Sequence, residues 1–229
     1  MSDKAKSRLM IAGAALCAAL FLFSGAMLAR EYLDQKQSAE AFAEVADLVK
    51  EDVEPPTLEL ADDPAPKPEE LTAFEKYADV YAQNSDLVGW ISIPGTCVDY
   101  PVLQSSADEP EYYLRRTYKG EHRTAGSIFF QWDCSPESRN LVVYGHNMSD
   151  GTMFAVLQKM ADEAFRTEHS KILLQTSDGL WEYRIAAVLK TDITKLSFNR
   201  TEFADDADFL SFQKELFAQS LCKTETIPG

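Results

Sequence analysis

The sequence predicts a mainly β domain, either a barrel or a sandwich with peripheral helices, that follows one N-terminal membrane anchor. Two observations predict this. An uncharged stretch of membrane-spanning length lies near the N-terminus, and short apolar or alternating segments separated by turn residues follow residue 84. The chain has 229 residues, of which 45% are hydrophobic and 26% are charged. This composition is typical of a folded protein, and the length fits one domain with appendages.

The anchor is predicted at residues 9–28, a run of 20 uncharged and mostly apolar residues. A helix of that length spans about 30 Å, the thickness of a bilayer core. Lys4, Lys6 and Arg8 precede the run, so the positive-inside bias keeps residues 1–8 in the cytoplasm and exports the remainder. We therefore expect a single-pass protein of the cell membrane that contacts lipid through residues 9–28. The alternative is a cleaved signal peptide with its cleavage site at residues 24–26, although the apolar run is long for that.

Residues 29–70 are predicted to form a stalk and a linker. Phe42, Val45 and Val49 recur at helical spacing, which indicates a short helix. Five prolines stand among acidic residues between positions 54 and 70, a pattern typical of a semi-rigid, solvated linker. The folded domain is then expected to occupy residues 71–229.

Within this domain, the apolar patterns predict several strands and two helices. The run at 141–144 is continuously apolar, which predicts a strand buried on both faces. Ser177, Asp178 and Gly179 indicate a hairpin turn. The helix at 204–220 has Phe209, Phe212 and Leu216 on one stripe and is capped by Asp205 or Asp206. The remaining predicted elements are a helix at 71–83 and strands at 88–93, 98–103, 126–130, 172–174 and 181–188.

The formal charge of −15 argues against a nucleic-acid-binding protein, because phosphate backbones repel acidic surfaces. The chain contains neither a Cys-x-x-Cys nor a His-x-x-x-His spacing, so no zinc site is predicted. We expect no metal and no cofactor.

Of the three histidines, His146 is the candidate catalytic residue. It follows the predicted strand 141–144 after Gly145, which is expected to permit an unusual turn, and it opens a polar loop. A residue at the end of a core strand is held rigidly and still reached by solvent, as a general base must be. The alternative is a histidine satisfied by hydrogen bonds of its loop. His122 and His169 lie in polar segments and are expected to be solvated and dispensable.

The sequence around the four cysteines does not identify any of them as a catalytic nucleophile. Cys17 lies inside the predicted anchor, and Cys97, Cys134 and Cys222 lie in the exported part. Three exported thiols cannot all pair within one chain. None of them is close to His146 in sequence.

Several segments together resemble class B sortases, in the order and at the spacing that this family shows. They include Asn140-Leu-Val-Val-Tyr-Gly-His-Asn-Met148 and Asp150-Gly-Thr-Met-Phe154, which resemble the part of the family that holds its catalytic histidine. The other matching segments are residues 84–96, 98–104, 112–114 and 125–130. The similarity extends from about residue 71 to the end.

The resemblance implies an eight-stranded β-barrel with extra helices and the activity of a cysteine transpeptidase. Such an enzyme cuts the sorting signal of an exported surface protein and joins the new carboxyl end to an amine, usually of peptidoglycan in Gram-positive cell walls. In this chemistry a thiolate attacks the scissile carbonyl, and a histidine protonates the leaving amine and later takes a proton from the incoming amine. An arginine steadies the substrate or the oxyanion. The resemblance makes His146 the catalytic histidine.

The chain departs from the family pattern at its C-terminal end. The family's nucleophile stands in a Leu-Ser-Thr-Cys strand after the late helix, with an arginine on the following strand, and neither segment precedes Gly229. The sequence is therefore expected to be a fragment of a sortase gene product that lacks the last strands, and to be inactive as given. The alternatives are a decayed gene product and an intentionally inactive variant. As a function of another class, the alternative is a non-catalytic exported domain that binds peptide or cell wall.

Overall fold

Six short strands form one curled sheet, which makes up half of a barrel and confirms the predicted β architecture. The computed structural model describes residues 3–49 and 75–222. The strand order is β4-β3-β2-β1-β5-β6, and all neighbouring pairs are antiparallel except β2 and β3. The strands are β1 Leu87–Ser92, β2 Asp99–Gln104, β3 Ile128–Phe130, β4 Val143–Tyr144, β5 Lys171–Thr176 and β6 Gly179–Arg184.

Both faces of the central strands are covered. Alternation along β1 to β3 sends successive side chains to opposite faces, and each face has its own apolar cluster. Ile91, Val102 and Ile128 belong to one cluster, whereas Leu87 and Leu103 belong to the other. Burial on both faces explains why these strands are more continuously apolar than half-exposed strands.

The two outermost strands of the described sheet are less buried than the sequence suggested. The prediction that residues 141–144 form a strand buried on both faces is wrong, because only Val143–Tyr144 pair and both side chains are half-buried. β4 has a neighbour on one side only, β3, so part of its surface is open. At the other end of the sheet, β6 follows the predicted Ser177–Asp178 hairpin, but it stops at Arg184 and is largely exposed.

Four helices are described in addition to the sheet. They are α1 Asp3–Leu48, α2 Ala78–Gln83, α3 Glu163–Glu168 and α4 Asp206–Ala218, with 3₁₀ turns at Glu75–Tyr77, Tyr112–Arg115 and Ala155–Ala161. The predicted helix at 71–83 is thus a 3₁₀ turn followed by α2, and its first four residues lie outside the described part. In α4 the predicted stripe is confirmed, since Phe212 is buried and Phe209 packs with it against Phe203.

α1 runs without a break through the predicted anchor and the predicted stalk helix. It contains one stretch that is long and apolar enough to cross a membrane, and this stretch is not buried against the domain. Side chains from Met10 to Leu33 are exposed, whereas those from Asp34 onward begin to pack on the sheet domain. The predicted linker at 54–70 lies outside the described residues.

The N-terminus of α4 provides a test of local stability. Asp205 is the N-cap, and its carboxylate accepts a hydrogen bond from the amide of Asp208 at 2.9 Å. We expect Asp205→Ala to lower the free energy of unfolding by about 1 kcal/mol, measured by urea denaturation, because the amide loses its acceptor. The matched control is Asp206→Ala, which removes the same charge from an exposed ion pair with Arg139. Equal losses in the two variants would contradict the capping role.

Candidate active site around His146

His146 lies two residues beyond β4, in a loop whose two ends are hydrogen-bonded to each other. The amide of Phe154 donates to the His146 carbonyl at 2.8 Å, and Asn147 forms an isolated bridge with Met153. Met153 is buried at a positive φ of 56°, and its amide donates to the Tyr100 hydroxyl at 3.1 Å. The backbone that carries His146 is thereby fixed to the sheet at the end of β4 and to β2.

The imidazole ring of His146 has one defined partner. Its Nε2 atom lies 2.8 Å from the carbonyl oxygen of Leu114, and the residue is half-buried. Because a carbonyl oxygen only accepts hydrogen bonds, Nε2 must carry the proton of this contact. The atom left to take up and release a proton is therefore Nδ1.

The Leu114 carbonyl is itself held in place by a tight backbone contact. Leu114 lies in the 3₁₀ turn Tyr112–Arg115, and Gly126 passes directly beside this turn. Gly126 has a φ of +59°, and a Cβ atom at its position would stand 2.3 Å from the Leu114 oxygen. Only glycine fits this approach, so Gly126 lets the chain come close enough to position the partner of His146.

Gly145 has a different role from the predicted one. Its φ is not among the positive values of the described glycines, so the expectation of an unusual turn is wrong. A Cβ atom at Gly145 would instead lie 2.4 Å from Cδ1 of Ile128 and 2.6 Å from Cδ2 of Phe154. The glycine is required by close packing beneath the His146 loop, which no local sequence pattern reveals.

A cavity of about 510 Å³ adjoins the His146 site. His146 does not line it, but two residues next to His146 do: Leu114, whose carbonyl binds the ring, and Tyr144, which ends β4. The Tyr144 hydroxyl donates to Oε1 of Gln131 at 2.7 Å, and burial raises its pKa, so the phenol stays neutral. The other walls are largely apolar and include Phe129, Trp132, Ile193 and Phe198.

Sequence reasoning did not identify this cavity. In the sequence, residues 112–114 and 125–130 show only their resemblance to the sortases, and no sign of a cavity. Ile193 and Phe198 carried no signal of their own, because they come from a segment distant in sequence.

The other two histidines have different surroundings. His122 is exposed, as predicted. His169 ends α3 as expected, but the prediction that it is solvated is wrong, since it is 91% buried. Its Nδ1 atom lies 2.9 Å from the Pro94 carbonyl, and its ring packs on Phe165 with centroids 4.3 Å apart. The turn that contains Pro94 closes over it, a contact that the polar sequence around His169 does not reveal.

None of the described cysteines forms a hydrogen bond with His146. Cys97 is exposed in the β1–β2 turn, and its thiol donates to the Gly151 carbonyl at 3.3 Å. Cys134 is buried, and burial raises the pKa of its thiol, which disfavours the thiolate. Cys222 lies beyond α4 next to Ser220. Across residues 3–49 and 75–222, no three His, Cys, Asp or Glu side chains are grouped to hold a metal ion.

Comparison with known proteins places these features in a family. The family described as Sortase domain matches residues 91–214. Sortase B of Listeria monocytogenes is 37% identical over 149 residues, covering 64% of this chain and 59% of the relative. Sortase B of Staphylococcus aureus is 34% identical over 144 residues, covering 62% of this chain and 58% of the relative. The chain thus spans less than two thirds of the length of these curated relatives.

The fold is also similar to that of a solved sortase structure. Sortase B from B. anthracis in complex with AAEK1 is similar to this chain with a TM-score of 0.66 at 28% identity, covering 86% of each chain. The family match extends from β1 into α4 and includes both Leu114 and His146. Because this match covers more than half of the chain, the protein belongs to the sortase family and is similar to its class B members.

Proposed function

We propose that this chain is the membrane-anchored, acid–base part of a class B sortase, a cysteine transpeptidase in which His146 transfers the protons. The observation that supports this most is the contact between His146 Nε2 and the Leu114 carbonyl, beside a cavity that Leu114 also lines. The contact fixes one ring nitrogen and leaves Nδ1 for proton exchange. An imidazole is suited to this because it exchanges protons near neutral pH.

The proposed reaction is an acyl transfer in two steps. A cysteine thiolate attacks the scissile peptide carbonyl, a thioester forms, and the leaving amine takes a proton from Nδ1 of His146. An incoming amine then attacks the thioester and gives its proton to Nδ1, which releases the thiolate and forms the new amide. Each step needs the histidine in the opposite protonation state, so one ring serves as acid and then as base.

Family membership supports a proposal for the two substrates. We propose that the donor is the sorting signal of an exported surface protein, and that its apolar side chains occupy the cavity lined by Trp132, Ile193 and Phe198. The acceptor is proposed to be an amine of peptidoglycan. Apolar walls with few polar groups are the usual lining of a site that binds a peptide side chain.

The nucleophile is proposed to be none of Cys97, Cys134 and Cys222. Cys134 is buried with a raised thiol pKa, and the hydrogen bonds of the other two go to Gly151 and Ser220. This agrees with the expectation that the catalytic cysteine belongs to a Leu-Ser-Thr-Cys strand. The chain without such a strand is expected not to cleave a sorting-signal peptide.

This proposal is tested in the longest open reading frame that contains the chain. We expect Cys97→Ala, Cys134→Ala and Cys222→Ala each to retain cleavage of a fluorogenic sorting-signal peptide within about threefold, because none supplies the attacking thiolate. The control is alanine at the cysteine of a Leu-Ser-Thr-Cys segment in that frame, which should abolish cleavage. If Cys97→Ala or Cys222→Ala alone abolishes it with the fold intact, that cysteine is the nucleophile.

A second candidate is a non-catalytic exported domain that binds peptide or cell wall. The cavity favours it as well, since binding requires only the apolar walls. Peptide binding that is measurable by calorimetry in a full-length protein without cleavage would favour this candidate. Loss of binding in Ile193→Asp with retained fold would locate the peptide in the cavity.

We propose that residues 9–28 cross the membrane with the N-terminus in the cytoplasm. This rests on the apolar, exposed N-terminal half of α1 and on the preceding Lys4, Lys6 and Arg8. Protease added to intact cells should remove the domain and leave an N-terminal tag protected, as detected by immunoblotting. Lysed cells, in which both the domain and the N-terminal tag should be degraded, are the control. A domain that stays protected in intact cells would contradict this topology.

A further inference from the structure

The side chains of α1 change their surroundings at Asp34. Every described side chain from Met10 to Leu33 is exposed. From Asp34 onward, side chains three or four positions apart are buried or half-buried, which is the spacing of one helix face. This docking face consists of Asp34, Gln35, Ser38, Ala41, Phe42, Val45, Leu48 and Val49.

Specific contacts attach the docking face to the sheet domain. The Thr124 amide donates to Oδ2 of Asp34 at 3.0 Å, and Lys119 forms an ion pair with Glu44. The ring of Phe42 meets the ring of Tyr100 edge-on, with centroids 5.1 Å apart. Val45 is 99% buried, in the cluster that contains Leu87 and Trp90. These contacts combine apolar burial with hydrogen bonds, so the helix is packed as a part of the domain.

Of these contacts, the one between Asp34 and Thr124 lies nearest to the predicted membrane span. Five residues of unbroken helix lie between Leu28 and Asp34, and the rise from Leu28 to Asp34 is about 9 Å. The interfacial region of a bilayer extends several ångströms beyond its apolar core. The Asp34–Thr124 contact therefore stands just above the lipid headgroups when residues 9–28 span the bilayer.

His146 is near this contact. Thr124 is two residues from Gly126, which abuts the Leu114 carbonyl, and that carbonyl binds His146. Because two residues span at most about 7 Å, Nε2 of His146 lies within about 15 Å of the Thr124 backbone. Together with the rise from Leu28 to Asp34, the length of the Asp34 side chain and its hydrogen bond to Thr124, this puts the ring no more than about 30 Å above the end of the apolar run.

We propose that the docking face couples the membrane span rigidly to the domain and holds the His146 site at one fixed height above the bilayer. This inference rests on the membrane anchoring proposed above. The site then acts on peptides that lie close to the membrane surface. The length of chain between residue 49 and the sheet does not set the distance of the site from the membrane. A flexible stalk would let the site sample many heights.

Two insertions in the full-length chain test this coupling. Seven helix-forming residues inserted between Glu31 and Tyr32 add two turns, which raise the domain by about 10 Å and keep the docking face within about 20° of its orientation. The control is the same seven residues inserted directly after Val49. The height of the domain is measured by fluorescence energy transfer between the protein and the lipid. The donor dye is attached to the exposed Cys97 in a Cys17→Ala, Cys222→Ala background, and the acceptor is a headgroup-labelled lipid in phosphatidylcholine vesicles.

Energy transfer to the lipid should fall for the insertion before Asp34 and stay unchanged for the insertion after Val49. Equal changes from both insertions, or no change from either, would overturn the rigid coupling. Flotation with the vesicles is measured on the same samples. A chain that does not float overturns the membrane anchoring itself, and with it this inference, so the two failures are distinguishable.

Hydrogen exchange tests the docking face without changing the height. The double variant Asp34→Ala, Phe42→Ala should speed exchange of the Thr124 amide at least tenfold, because the amide loses its acceptor and the helix loses the Phe42–Tyr100 contact that also holds it to the sheet domain. The matched control is Lys36→Ala, Glu40→Ala, which removes an exposed ion pair from another face of the same helix. Unchanged exchange in the first variant, with the near-ultraviolet circular dichroism intact, would refute the docking.

Discussion

Replacing His146 by alanine is expected to lower kcat/KM for a sorting-signal peptide at least 100-fold in the open reading frame that contains this chain. General acid–base catalysis contributes typically 10²–10⁴-fold, and the proposed reaction uses the ring in both steps. The loss should appear mainly in kcat, since the cavity walls proposed to bind the peptide do not include the ring. The measurement is steady-state cleavage together with circular dichroism.

Two controls separate catalysis from stability. His122→Ala removes an exposed ring and should leave both activity and folding unchanged. His169→Ala should lower the free energy of unfolding by about 2 kcal/mol with little effect on kcat, because the ring is buried between Pro94 and Phe165. Activity of His146→Ala within about tenfold of the unmodified protein, or about 1.4 kcal/mol, would remove the catalytic assignment.

The contact to Leu114 adds a spectroscopic test of the same assignment. The neutral ring of His146 should carry its proton on Nε2, because the Leu114 carbonyl can only accept. Long-range proton–nitrogen correlation spectra distinguish this tautomer from the Nδ1–H form. A ring protonated on Nδ1 would show that Nδ1 is not the atom that accepts the proton of an incoming amine.

Gly126→Ala is expected to destabilise the fold by about 3 kcal/mol. Its φ of +59° disfavours any side chain, and the added Cβ would stand 2.3 Å from one backbone oxygen and 2.7 Å from another. Backbone atoms cannot rotate away as a side-chain tip can, so the turn Tyr112–Arg115 must shift. Denaturant unfolding measures the loss, and the shift should also lower kcat, because the Leu114 carbonyl orients His146.

Gly151→Ala is the matched control for this prediction. Gly151 also has a positive φ, of +87°, but nothing lies within 4 Å of the position of its Cβ. This variant therefore incurs the backbone strain without the steric contact, and we expect a loss of about 1 kcal/mol. Equal losses in the two glycine variants would show that the contact with Leu114 contributes nothing.

Local patterns predicted the elements whose causes are local. The Ser177–Asp178 turn produced the expected hairpin of β5 and β6, and Asp205 caps α4 as its position suggested. Both features depend on residues no more than a few positions apart. The strand at 141–144 was predicted with too much burial, because an apolar run does not show whether a strand has one neighbour or two.

The site was predicted only in part, because only some of its features depend on residues that are close in sequence. The position of His146 at the end of a strand is a local property, and its resemblance to the sortase segment added to that. Its partner Leu114 is 32 residues away and reaches the ring through the crossover between the parallel strands β2 and β3. His169 shows the reverse error, since its polar neighbours in sequence suggested solvent and the distant Pro94 turn buries it.

The apolar N-terminal run, the mainly β pattern and the location of the candidate histidine could be predicted, because each arises from residues that are neighbours along the chain. The folded chain was needed to show which ring nitrogen of His146 contacts a carbonyl, why Gly126 and Gly145 lack a side chain, and where α1 meets the domain. The Asp34–Thr124 contact joins residues 90 positions apart. Contacts of that kind depend on the path and packing of the whole chain, which no local pattern specifies.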